Sequence, residues 1–249
     1  MDKIKISAVS YLNSKPFIYG LHHSEIINGI DLQLDIPSVC AQKLLDGKVD
    51  IGLIPVAVIP KLNPNYIISD YCIGADGKVA SVILYSTVEL NEIKTVLLDY
   101  QSQTSVKLVK ILAEHFWKIN PEWSTTTENF ENTISGTTAA VIIGDRTFGL
   151  ENKYAYTYDL AEEWQKFTQL PFVFACWVAN KKVPDEFIAE FNKSLKFGLD
   201  SRDVLIEVLK STNEYSTDIH NYLYENIKYD FDYEKKKALK LFLGYCEKM

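Results

Sequence analysis

Hydrophobic and polar positions along this chain follow two periods, and the change from one to the other marks its elements. Short apolar runs rich in β formers read as strands: Ile4-Lys5-Ile6, Val49 to Ile54, Val79 to Tyr85, Thr95 to Tyr100, Ala139 to Ile143 and Pro171 to Ala179. Leu32 to Ile36 alternates as a further strand, Tyr66 to Ile73 is another apolar run, and Tyr154 to Leu160 is a strand. Helical spacing follows several of these. Pro16, Phe17, Ile18 and Leu21 form a first helix, with Asn13 or Ser14 as its cap. Ser38 reads as the N-cap of a second helix that stops at Gly47. Thr104 and Ser105 open a third that runs to about residue 118, with Val106, Leu108, Val109, Ile111, Leu112 and Phe116 on its apolar side. From Pro184 onward the pattern is helical, with segments at 184–195, 204–209, 222–227 and 233–246.

Two stretches look like parallel units. GKVDIGLIP in the first half and GTTAAVIIGD in the second each pass from Gly and polar residues into a buried strand with Gly near its end. The expected architecture is therefore α/β with two lobes. Lobe 1 is discontinuous, 1–85 plus 180–249, and lobe 2, 86–179, is inserted into it, with VASVILY and PFVFACWVA crossing between them. A single larger doubly wound domain is the alternative topology. Two lobes that face each other with strand ends and helix starts enclose a ligand cleft, and a hinge motion is expected to close it.

Composition narrows the ligand. A chain of 249 residues, 47% hydrophobic, can bury a sizeable core. The net charge of −7 and the lack of a strongly basic run argue against nucleic acid as a partner. The longest apolar runs are too short for a bilayer and contain prolines, and no basic-apolar leader precedes the first strand, so a cytoplasmic, non-membrane protein is expected. Cys40, Cys72, Cys176 and Cys246 are far apart and read as structural. With no C-x-x-C and no H-E-x-x-H, neither a metal site nor a cofactor is expected. Only two arginines are present, Arg146 and Arg202. An anionic ligand must then be held by helix N-termini, hydroxyls and backbone N–H groups instead of guanidinium forks.

Three stretches offer such groups. SAVSYLNSKPFIYGL, residues 7–21, sets Ser10, Tyr11 and Asn13 between the first strand and the first helix. It reads either as a capped helix start or as the floor of an anion-binding cleft. Ser102, Thr104 and Ser105 form a second anion-site candidate at a helix start, and Gly144 and Asp145 would line the opposite wall. Asp145 reads as a turn residue, a group that orients a donor, or a base. Asp70 is a weaker candidate. Ser81, in VASV, reads without further information as a small residue in a crossing strand.

SAVSYLNSKPFIYGL, VDIGLIPVAVIP, ISDYCIGADGKVASVILYS, LLDYQSQTSVKLVKIL, AAVIIGD and DLAEEWQKFTQLPFVFACWVA together resemble the chorismate dehydratase family of the futalosine route to menaquinone. The resemblance runs from about Ile4 to Ala179, and more weakly to NIKYDF near the C-terminus. It implies a type II periplasmic-binding-protein fold with the cleft between lobes. It also implies a carbon–oxygen lyase that removes water from chorismate to give 3-[(1-carboxyvinyl)oxy]benzoate, with no cofactor. It carries catalytic roles to Asn13 and Ser81, and leaves Ser10, Tyr11, Ser102, Thr104, Ser105, Gly144 and Asp145 as substrate-binding candidates. The family often has Arg where this chain has Gln103, so a cation at that place is not expected. The proton acceptor is expected to be a substrate carboxylate. A 1,4-dihydroxy-6-naphthoate synthase of the same pathway and a non-catalytic cytoplasmic anion-binding protein are the alternatives. The partner is the small-molecule substrate, with a homodimer left open.

Overall fold

The structure, a computed structural model, describes residues 3–212 and 214–249 of the chain. The strands are β1 (Ile4–Val9), β2 (Ile30–Asp35), β3 (Ile51–Pro55), β4 (Tyr66–Ala75), β5 (Val82–Ser86), β6 (Thr95–Leu98), β7 (Glu122–Thr125), β8 (Thr138–Ile143), β9 (Tyr156–Asp159), β10 (Phe172–Ala179) and β11 (Lys228–Asp230). The helices are α1 (Lys15–His22), α2 (Pro37–Leu45), α3 (Gln103–Ile111), α4 (Leu160–Thr168), α5 (Asp185–Asp200), α6 (Arg202–Thr212), α7 (Ile219–Asn221) and α8 (Tyr233–Cys246). Wider π turns continue α3 through Trp117 and α7 through Asn226.

Two sheets result. The first has the order β11-β4-β10-β3-β1-β2 and the second β7-β6-β8-β5-β9. In the first, β1 runs parallel to β2 and β3, while β10 lies antiparallel between β3 and β4. In the second, β6 is parallel to β7 and β8, and β5 is antiparallel to β8 and β9. All residues of β3 and β10 are buried, which explains their unbroken apolar runs: both faces of the sheet are covered. On one face Trp177 of β10 meets Phe17 of α1 and Phe191 of α5, at ring distances of 5.9 and 5.0 Å. On the other, Phe172 meets Trp164 of α4 and Phe242 of α8, at 5.3 and 5.1 Å. Helices α1 and α5 cross at Gly20 and Gly198. A Cβ on either would sit 2.0 or 1.9 Å from a backbone carbonyl of the other helix, so only glycine permits this approach.

Several expectations need correction. The two strands assigned to the crossings each pair within one sheet, β5 with β8 and β9 and β10 with β3 and β4. The chain crosses instead at 76–81 and at 160–171, which includes α4. A division at 85/86 and 179/180 would thus detach each of these strands from its own sheet. Val79 to Ser81 is not strand at all. Ala80 adopts a left-handed φ of 61°, and the Asp159 carboxylate accepts the N–H groups of Val79 and Ala80 at 3.2 and 2.7 Å. The same carboxylate caps α4 through Ala161 and Glu162. Ser14, not Asn13, stands at the N-cap of α1, but its side chain makes no capping bond; the hydroxyl donates instead to the Val9 and Tyr11 carbonyls. Ser38 is no cap either, because α2 begins at Pro37. Cys40, Cys72 and Cys176 are buried free thiols, and burial pushes the Cys40 thiol up to about 12.

Candidate functional site

The ends of β1, β3 and β8 meet the starts of α1 and α3 at the seam between the sheets. They enclose a cavity of about 50 Å³, space for one or two waters. The halves therefore lie closed together. A larger open groove of about 880 Å³ lies between β4, α5 and α8. Its central amide, Asn192, is already engaged by Ser69 and the Asp70 N–H, whereas the small cavity holds unspent polar groups. The small cavity is the candidate site.

Of the residues singled out from sequence, Tyr11, Asn13, Ser81, Ser102, Ser105 and Gly144 line the cavity together. Ser10, Thr104 and Asp145 lie outside the lining. The Ser10 N–H donates to the Asp35 carbonyl at 3.0 Å. The Thr104 hydroxyl accepts from Ala57 N–H and donates to the Phe174 carbonyl, both at 3.2 Å, which ties α3 to the first sheet. Asp145 reaches across the seam, and both its oxygens accept the Leu12 N–H, at 3.0 and 3.1 Å. A protein carboxylate thus occupies the donor just ahead of α1 that the sequence offers to an anion. Burial pushes the Asp145 carboxyl up to about 6, against the opposing pull of the Leu12 N–H and of Lys15.

Asn13 and Ser81 come from opposite sides of the chain and face the same space. The Asn13 backbone carbonyl accepts from the Tyr229 hydroxyl at 2.9 Å, while its side-chain Oδ1 is buried with no partner. Ser81 is 1% exposed, and its Oγ accepts from the Tyr222 hydroxyl at 2.7 Å. Its own proton finds only the Val79 carbonyl, at 3.5 Å. A buried acceptor without a protein partner and a weakly engaged donor are costly, and each can take a further hydrogen bond. The third wall is the start of α3. Ser102 caps it by accepting the Ser105 N–H at 3.1 Å, and the two hydroxyls bond at 3.0 Å. The N-terminal end of the helix dipole therefore faces the cavity.

Tyr11 closes the site from the first half. Its ring lies on Gly144, where a Cβ would come within 2.5 to 2.7 Å of the ring carbons, and the φ of +66° at Gly144 also favours glycine. Its hydroxyl donates to Gln101 Oε1, and Gln101 Nε2 donates to the Tyr100 hydroxyl at 2.7 Å. Arg146 lies close behind. Its charge is already paired with Asp99 and Glu131, which are also its hydrogen-bond partners. Arg202 donates to the Leu199 and Leu223 carbonyls and stacks on Tyr224. Neither arginine forms a fork toward the cavity. A cation does approach Gln103, by another route: the Lys61 ammonium donates to Gln103 Oε1 at 2.9 Å.

Tyr222, Tyr229, Gln101, Asp159 and Lys61 act on the site without having been read from sequence. Asp159 carried a signal, since D-L-A-E has the form of a helix cap followed by a first-turn acid. The tyrosines carried none, because they lie 141 and 216 residues from their partners. Among the described residues no cluster of metal-ligating side chains occurs, and no helix is long and apolar enough to cross a membrane.

Two α/β halves, each with its own sheet and with a cavity at the seam that carries a few polar groups, define a periplasmic-binding-protein-like fold. A Candida albicans gene product described as exhibiting the generic periplasmic binding protein structural fold superposes with a TM-score of 0.65. It is 12% identical and covers 100% of this chain and 91% of its own. Residues 4–248 match the protein family described as menaquinone biosynthesis, and the chain belongs to that family. Two curated relatives are named chorismate dehydratase. The one from Campylobacter jejuni is 27% identical over 96% of both chains. The one from Thermus thermophilus is 24% identical over 92% of this chain and 94% of its own.

Proposed function

We propose that the protein is a chorismate dehydratase, a hydro-lyase that converts chorismate into 3-[(1-carboxyvinyl)oxy]benzoate and water. The observation that carries this reading is the meeting of Asn13 Oδ1, buried and unpaired, with the Ser81 hydroxyl on one closed cavity. The near full-length likeness to two chorismate dehydratases supports it. In the reaction the bond from ring C4 to its hydroxyl oxygen breaks, and the proton on C3 leaves. The electrons of the C3–H bond complete the aromatic ring. Aromatisation drives the elimination, so the protein has to hold the substrate in the reactive geometry.

Each residue has a role in this scheme. The Ser81 hydroxyl donates to the departing oxygen, and Asn13 Oδ1 accepts from it. The start of α3, with Ser102 and Ser105, takes a substrate carboxylate through the helix dipole and hydroxyl donors. No histidine lines the cavity, and the Asp145 carboxylate lies outside the lining and is engaged by Leu12. The C3 proton therefore passes to a carboxylate of chorismate itself, held in place by the protein, and from there to the departing hydroxide, which leaves as water. Chorismate is larger than the closed cavity, so the halves part to admit it, exchanging the Asp145–Leu12 contact and the Tyr11 packing.

Incubation with chorismate tests the reading. An aromatic absorbance should appear, and Ser81→Ala should slow it by about tenfold or more, the loss of one hydrogen bond to a developing charge. Binding without turnover would favour a sensor, and turnover of cyclic dehypoxanthine futalosine would favour the naphthoate synthase. If Asp145→Asn alone abolished turnover with binding unchanged, the base would be a protein carboxylate.

A further inference from the structure

We infer that Tyr222 is a positioning residue that sets the direction of the Ser81 hydroxyl, so that the site presents one donor, Ser81, and one acceptor, Asn13 Oδ1, to a single hydroxyl group of the substrate. This rests on the proposed dehydratase reading.

The Tyr222 hydroxyl is the buried hydrogen-bond partner of Ser81. Its ring is 1% exposed and packs edge-on against Phe148 at 5.1 Å. Its hydroxyl donates to Ser81 Oγ at 2.7 Å, and Asn13 Oδ1 lies buried on the same cavity with no partner. Burial disfavours the phenolate, so the phenol keeps its proton and remains a donor.

The order of the chain follows. The phenol donates to Ser81 Oγ, and one lone pair of that oxygen is thereby occupied. The Ser81 proton is left for the cavity, because its one other acceptor is the Val79 carbonyl at 3.5 Å. Each donor polarises the next, which strengthens the last one. The far end of the Asn13 amide, Oδ1, is left as an acceptor on the same cavity. An alcohol oxygen satisfies both groups at once, accepting from Ser81 and donating to Asn13. A ligand carboxylate in that place would leave Asn13 Oδ1 unpaired against a like charge. The arrangement thus selects the ring hydroxyl for this corner and leaves the carboxylates to the start of α3. Tyr229, which donates to the Asn13 carbonyl at 2.9 Å, holds the same residue from its backbone side.

The experiment is a double-mutant cycle of Tyr222→Phe with Ser81→Ala, read with chorismate and with the aromatic product, which lacks the ring hydroxyl. Tyr222→Phe should lower kcat about tenfold with KM little changed, as one buried hydrogen bond is removed. Product affinity should stay at the parent value, a result that general loosening of the fold would not give. In the Ser81→Ala background the same change should cost almost nothing further. Additive losses, a parent-like kcat in Tyr222→Phe, or an equal loss of product affinity would overturn the role. Should the Phe variant fail to fold, 3-fluorotyrosine at position 222 keeps the ring and makes a stronger donor. It should raise kcat, and an unchanged or lower kcat would count against the inference. Absence of turnover in the unaltered protein would instead remove the dehydratase reading itself. Turnover with an additive cycle would remove only the part assigned to Tyr222.

Discussion

Helix α1 is held by two seams of opposite kind. Along its body it meets α5 through Gly20 and Gly198, backbone against backbone, with no room for a methyl group. At its leading end the contacts cross to the second half. The Leu12 N–H rests on Asp145, the Tyr11 ring on Gly144, and the Tyr11 hydroxyl on Gln101. The first seam is close-packed and offers nothing that water or a ligand could replace. The second is made of hydrogen bonds and one aromatic face, each of which a ligand or solvent can exchange. The same helix is therefore a fixed part of the first half and a releasable part of the interface, which suits a cleft that must admit a substrate and shut again.

The largest test of this contrast is Gly198→Ala. Its Cβ would lie 1.9 Å from the Pro16 carbonyl, and neither helix backbone can yield. A stability loss of about 3 kcal/mol or more is expected, measured as the urea midpoint. A loss below about 1 kcal/mol would mean that this seam is as yielding as the other. Gly144→Ala comes next. It meets a left-handed φ and the Tyr11 ring, but the ring can move with the second half. About 1–2 kcal/mol of stability should be lost, while turnover of chorismate should fall far more than stability implies. Equal effects on both would erase the distinction between the seams.

The smallest effect is expected at Asp145. Its carboxyl titrates near 6 in the folded protein against an ordinary 3.8, so the folded state binds the extra proton between those values. Stability from this group is then fully present below about pH 4 and lost as the pH rises through about 6. Asp145→Asn removes that loss. Allowing for partial exposure, it should gain about 1 kcal/mol at pH 7 and flatten the stability profile between pH 4 and 6. Thermal melts across that range check it, and an unchanged slope would show that the charge at the seam costs nothing.

Local pattern was a good guide to elements and a poor guide to their ends. The buried runs of β3, β8 and β10 were plain in the sequence because strands covered on both faces need unbroken apolar residues. Val79 to Ser81 looked like the start of such a strand, yet Asp159, from a distant segment, captures its N–H groups and turns it into a loop. That turn is what delivers Ser81 to the cavity. The helix start near Asn13 was legible as a cluster of polar groups, but not that Asp145 would fill the Leu12 donor from across the seam.

By itself the sequence determined the α/β class, the apolar core strands and the family, since these follow from periodicity, composition and short motifs. The tertiary structure alone decided where the chain crosses between halves, how tightly the cleft shuts, and that Tyr222 meets Ser81. The physical reason is range: hydrophobic period acts over neighbouring residues, whereas a buried hydroxyl takes whichever partner the packed chain brings within 3 Å of it.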